Sequence, residues 1–172
     1  MKTSSFALLL FFSTCLLGQE KINWMSIEEA EAASKKQPKK ILIDVYTDWC
    51  GWCKRMDANT FQKEEVAKLV NEKYYAVKLD GEQKDSIVFK GKTYKFVAKG
   101  RRGYNELAAL LLQGRLAYPS IVYLDENLNL IRPWPGYKGP EEFLLILSYI
   151  IEDHYLQGTF EDYKLKQKKA QD

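Results

Sequence analysis

A single histidine, His154, stands in a chain of 172 residues, and only three cysteines accompany it. One of these, Cys15, lies inside an apolar N-terminal stretch. The remaining candidates, Cys50, Cys53 and His154, fall short of the four ligands that a closed structural zinc site takes. His154 also falls near the end of the last expected helix, where an imidazole meets the final carbonyls more readily than a metal. One closely spaced cysteine pair is too little to staple a small exported domain. Excess charge is scarce as well. Against 26 basic residues stand 23 acidic ones, a net +3, which argues against a nucleic-acid surface. The longest apolar run, Phe6 to Leu17, has 12 residues and is short for a membrane span. No internal repeat runs through the chain.

That apolar run follows Lys2 and gives way to Gly18-Gln19-Glu20, the pattern of a secretory signal over residues 1–19. A retained anchor and a lipid attached at Cys15 are the competing readings. Removing the signal takes away only Lys2 among charged residues, which leaves a net +2. Residues 20–160 suit one domain, because 46% hydrophobic and 13% aromatic residues supply a sizeable core. Residues 161–172 are polar, with four lysines, and are expected to fray as a tail. Export would place the chain where disulfides persist, so the pair Cys50 and Cys53 points to working chemistry.

The pattern along the chain predicts alternating helices and strands. Ser26-Ile27-Glu28-Glu29 is a capping box, opening a helix to about Lys36 that Pro38 ends. Ile41 to Tyr46 is a near-continuous apolar run, the mark of a strand covered on both faces. Helix is expected from Gly51 through Met56 and again over Lys63 to Asn71, with a strand from Tyr74 to Asp80. Ile87-Val88-Phe89 and Thr93 to Val97 read as a hairpin about Lys90-Gly91-Lys92. Arg101-Arg102-Gly103 then leads into a helix from about Tyr104 to Gln113. Ser120 to Leu124 and Leu128 to Arg132 read as neighbouring strands, and Pro140 opens the last helix. The order is that of an α/β sandwich.

Trp49-Cys50-Gly51-Trp52-Cys53-Lys54 falls where the apolar strand gives way to a helix. Two cysteines at this spacing can close a small disulfide ring if the turn lets them approach. At a helix N-terminus, free N–H groups and the helix dipole favour a thiolate at Cys50. A thiolate is the species that attacks disulfides. Asp44 lies in a strand otherwise made of aliphatic and aromatic residues, where burial raises a carboxyl pKa.

Ile41 to Lys54 resembles the active-site strand and turn of thioredoxins, residue for residue outside Trp52. Tyr118-Pro119-Ser120-Ile121-Val122-Tyr123-Leu124 is similar to the family's cis-proline loop and following strand, and Asp125 to Gly136 to its closing hairpin. The segments Trp24 to Ala30 and Met56 to Phe61 look like an exported bacterial thioredoxin-like subgroup. Together these cover roughly residues 22 to 155. The resemblance implies a three-layer α/β/α sandwich with a mixed central sheet and an inserted hairpin plus helix, about residues 82–114, before the cis-proline loop. It implies that Cys50 attacks, that Cys53 resolves the mixed disulfide, and that Asp44 shuttles a proton with Lys78 beside it. Trp49, Trp52, Tyr118 and Pro119 would contact substrate, the backbone of Tyr118 pairing with an extended chain. No cofactor beyond a redox-active Cys50–Cys53 disulfide is implied, and no metal.

Two departures from the family stand out. Trp52 replaces the usual proline, and the residues between the cysteines set the reduction potential, so reductase, oxidase and isomerase remain open. Asp80 to Pro119 spans 39 residues, more than the plain fold needs; the excess is either partner surface or a tolerated surface insertion. The expected partners are exported proteins with disulfides and a membrane or soluble thiol donor, with reduction the favoured direction. The chain is expected as a monomer in the periplasm or secreted, since nothing supplies an obvious dimer helix. From other classes, Cu(I) delivery by the two thiolates and a non-catalytic binding module compete, although no methionine-rich loop flanks the pair.

Overall fold

The computed structural model of the protein describes residues 20–170; the expected signal, with Cys15, lies outside the described residues. In chain order the elements are β1 (Trp24–Met25), α1 (Ile27–Lys36), β2 (Lys40–Tyr46), α2 (Gly51–Asn59), α3 (Glu64–Lys73) and β3 (Tyr74–Asp80). Then come β4 (Ile87–Phe89), β5 (Lys92–Tyr94), β6 (Phe96–Lys99), β7 (Arg102–Asn105) and α4 (Glu106–Leu111). The chain closes with β8 (Ser120–Leu124), β9 (Leu130–Pro135), α5 (Pro140–Ile151), a 3-10 turn at His154–Leu156 and α6 (Phe160–Lys169).

Five strands form one mixed sheet in the order β1-β3-β2-β8-β9. Strand β2 lies at its centre, parallel to β3 and antiparallel to β8, so both its faces are buried as its apolar run predicts. Alternation along β2 feeds two cores. Leu42 joins Met56, Val66, Val70, Ile121, Tyr123 and Phe143 on the face covered by α2, α3 and α5. Ile41, Ile43 and Val45 join Ile27, Ala30, Leu107 and Leu111 on the face covered by α1 and α4. The architecture is the expected three-layer sandwich.

Both borders of the sheet are short of free donors. Strand β1 has two residues, and β9 carries Pro133 and Pro135. The Gly136 N–H donates inward to the Pro119 carbonyl at 2.8 Å, so the alternate nitrogens at 133 and 135 face outward.

Several expectations change. The capping box is present, with the Glu29 N–H on the Ser26 hydroxyl at 3.1 Å and Glu29 returning to the Ser26 N–H at 2.8 Å. The insertion, however, holds two hairpins rather than one. The first closes at Tyr94, and Arg102 begins the return strand of a second, which delays the helix to Glu106. Nor is the first hairpin a surface decoration. Ile87, Phe89 and Tyr94 are buried in the α1–α4 core, and α1 caps its backbone, Glu28 accepting from the Val88 N–H and Glu31 from the Lys90 N–H. The polar segment after Glu161 is a helix. Thr159 and Asp162 cap it reciprocally, while Phe160 and Tyr163 bury one side against Tyr149. The strand expected over Leu128 to Arg132 starts at Leu130 and runs to Pro135.

Candidate functional site

The centre of the site is the junction of β2 and α2. Cys50 is the N-cap of α2, its N–H bonded to the Thr47 carbonyl at 3.0 Å and its Sγ accepting from the Cys53 N–H at 3.1 Å. The two cysteines form a disulfide, with Cα atoms 5.3 Å apart. Cys53 and Met56 lie one turn apart on the inward side of α2, and both are buried. In the reduced protein, the same backbone N–H that meets Cys50 Sγ would stabilise a thiolate there.

Asp44 is 1% exposed in the middle of β2, directly opposite Lys78 in the β2–β3 register. The Lys78 ammonium holds its Oδ2 at 2.7 Å, the neighbour that the resemblance implied. Oδ1 has no hydrogen-bond partner among the described residues. Burial pushes the Asp44 carboxyl up to about 6, outweighing the pull of Lys78. Lys78 also meets Asp57 from α2, and the rings of Tyr46 and Trp24 lie within 4.9 and 5.1 Å of its nitrogen. Burial alone would lower the Lys78 pKa, but the carboxylates of Asp44 and Asp57 hold it above its ordinary value.

The Tyr118–Pro119 bond is cis, as the resemblance implied. Among the described residues neither the N–H nor the C=O of Tyr118 has a hydrogen-bond partner, which leaves both for a bound chain. The Tyr118 ring packs onto Gly81, where a Cβ would come within 2.4 Å of the phenol oxygen. Burial raises that phenol to about 12.

Trp49 and Trp52, on either side of Cys50 in the chain, are 50% and 56% exposed. Trp49 meets the edge of Tyr118 at 6.0 Å and carries the Arg102 guanidinium 4.1 Å above its ring. Trp52 meets Tyr137 at 5.5 Å and Arg55 at 5.3 Å. A shallow cavity of about 250 Å³ beside Gly51 is lined by Trp52 and Arg55.

The residues named from the sequence thus gather in two adjoining groups: Asp44 with Lys78 inside, and Cys50, Trp49, Trp52, Tyr118 and Pro119 at the rim. Sequence reasoning missed Asp57, Arg55, Arg102 and Tyr137. Asp57 had a signal, since it falls four residues after Cys53 and one turn along the same helix. Arg102 had none, because its position depends on an unrecognised hairpin. His154 does not meet the carbonyls of α5; its Nε2 pairs with Glu152 at 2.9 Å and its ring lies 4.7 Å from Tyr163. Among the described residues, no three of His, Cys, Asp and Glu come together as a metal-holding group. No described helix is long and apolar enough to cross a membrane.

A mixed sheet between helical layers, a closed Cys-x-x-Cys ring at a helix tip and a cis-proline loop define a protein of thioredoxin fold. The profile of Thioredox_DsbH, described as a protein of unknown function (DUF255), matches residues 13–127, and the chain belongs to this family. It is similar to a solved DsbH oxidoreductase, with a TM-score of 0.57 over 85% of this chain and 95% of that one at 18% identity. A thioredoxin-fold protein from Helicobacter pylori is similar at a TM-score of 0.58, 18% identity, over 87% of this chain and 89% of that one. Spermatogenesis-associated protein 20 of Mus musculus is 35% identical over 60 residues. Those residues are 35% of this chain and 8% of the mouse protein, so the chain matches only a small part of that relative.

Proposed function

We propose that the protein is a thiol–disulfide oxidoreductase of an exported compartment that reduces disulfides in other exported proteins. The observation that carries this reading is the Cys50–Cys53 disulfide at the tip of α2, beside a Tyr118 backbone free to pair with a substrate chain.

The chemistry starts from the reduced dithiol. The Cys50 thiolate attacks one sulfur of the substrate disulfide; that bond breaks, and the other substrate sulfur leaves as a thiolate and takes a proton. Cys53 then loses its proton toward Asp44, whose raised pKa suits a group that accepts and returns a proton near neutrality. The Cys53 thiolate attacks Cys50 Sγ and releases the second substrate sulfur, which is protonated in turn. Two electrons and two protons pass to the substrate, and the protein is left in its disulfide form. A membrane or soluble dithiol donor restores it by the same exchange in reverse roles. Lys78 and Asp57 link Asp44 to the protein surface, because Asp57 is 42% exposed.

Two measurements test the reading. Cys53→Ser should hold a substrate as a mixed disulfide, since attack by Cys50 survives and release does not, whereas Cys50→Ser should abolish exchange. Covalent partners absent from the Cys53→Ser protein in its own host would count against it. The potential of the Cys50–Cys53 couple decides direction: about −270 mV supports a reductant, and about −120 mV would make the protein an oxidant.

A further inference from the structure

We infer that Arg55 and Arg102 form a cationic rim that selects substrates carrying Asp or Glu next to the reactive cysteine. The inference rests on the oxidoreductase reading and adds to it the chemistry of the preferred partner.

The two arginines reach the site from unrelated parts of the chain. Arg55 comes from α2, one turn beyond Gly51, and Arg102 from the second inserted hairpin. Each guanidinium lies over one of the two half-exposed tryptophans that flank Cys50 in the chain. Stacking on an indole orients a guanidinium while leaving its N–H fork free for a planar carboxylate. Among the described residues neither fork meets a carboxylate within 4.0 Å, even though Asp48 is the neighbour of Trp49 in the chain. Two oriented, unpaired cations therefore stand over the tryptophans that precede and follow Cys50 in the chain.

The hairpin that delivers Arg102 is fixed to the rest of the site. Asn105, at the end of β7, is fully buried; its N–H donates to the Gly81 carbonyl at 2.8 Å and its side chain caps α4. Its amide also donates to the carbonyls of Gln83 and Asp85. Gly81 in turn supports the Tyr118 ring. Within the hairpin, Gly103 leaves room for the Phe96 ring, which a Cβ would meet at 2.2 Å. Arg102 is thus built onto the same frame as Tyr118, whose free backbone would set the path of the bound chain. A carboxylate one or two residues from the substrate cysteine would reach one guanidinium or the other.

The test uses the full chain in its reduced form and two disulfide-linked peptides of one sequence, with Glu on both sides of one cysteine in the first and Lys in the second. The ratio of their second-order rate constants is compared between proteins, so that each peptide's own reactivity cancels. At low salt the unmodified protein should favour the Glu peptide by about tenfold, and 1 M salt should reduce the preference strongly. Arg55→Glu combined with Arg102→Glu should reverse it toward the Lys peptide. A ratio that the double substitution leaves unchanged overturns the rim. Failure to exchange with either peptide and with neutral hydroxyethyl disulfide would instead overturn the oxidoreductase reading itself.

Discussion

Lys40 and Lys78 each stand between two carboxylates on neighbouring strands of the sheet, and the two clusters behave differently. Lys40 is 5% exposed and binds Glu126 at 2.7 Å and Asp153 at 2.9 Å, both acids close to half exposed. Lys78 binds the buried Asp44 and the more open Asp57. In the first cluster the buried member is a lysine whose stem packs while its anions keep water. It ties β2 to the β8–β9 turn and to the end of α5. In the second the acid sits inside the core with one oxygen unpaired, and burial pushes its carboxyl up to about 6. Which partner is buried, rather than the charges present, separates a tie from an acid whose pKa is raised.

The largest expected effect tests that separation directly. Asp44→Asn should slow resolution of the mixed disulfide by about a hundredfold at pH 7, the usual yield of a positioned acid–base group. Glu126→Gln should leave that rate unchanged. Rapid quenching with alkylation of the mixed disulfide measures both, and equal rates would erase the contrast.

Stability should show the next effect. Burial raises the Asp44 pKa from 3.8 to about 6 in the folded protein, so between pH 4 and 6 the native state keeps a proton that the unfolded chain has lost. Stability therefore falls as pH rises through that window and levels above it, by up to about 3 kcal/mol. The Asn variant escapes this fall, and its advantage over the parent in urea melts should grow from pH 4 to 6 and then stay constant. A difference that is flat across the window would mean that Asp44 ionises as an exposed carboxyl does.

Lys40→Met should give the smallest change, a loss of about 1–2 kcal/mol in the same melts. Its freed acids return to water rather than staying buried without a cation. Because Glu126 and Asp153 hold the Lys40 ammonium above its usual pKa, the loss should be equal at pH 6 and pH 8, with exchange kinetics unaffected.

The core of the site was legible because strong local signals coincided there. An apolar run ending in Trp-Cys-Gly-Trp-Cys marks strand, turn and helix tip, and Tyr118-Pro119 before a second apolar run marks the facing loop. Elements with weak local patterns escaped. Strand β1 is two residues long, too short for any alternation, and Trp24 enters the sheet only through pairing with Ala76. Around the turn of the second hairpin the chain reads Ala-Lys-Gly-Arg-Arg-Gly, without period-two patterning, since that strand pair packs little of its length into the core. The final helix looked like a tail because its charges dominate, yet Thr159-x-x-Asp162 with Phe160 and Tyr163 is a capped start with two anchors. Asp57 figured only within the Met56 to Phe61 resemblance, with no partner assigned; the packing of α2 on the sheet, which is a tertiary fact, brings Lys78 within its reach.

The two prolines on the outer flank of β9 and the brevity of β1 bear on how the molecule behaves in concentrated solution. A neighbouring polypeptide approaching sideways finds few consecutive amide donors to zip onto, which discourages ribbon-like growth between copies. At the sheet's end, by contrast, the Tyr118 backbone is left unclaimed among the described residues.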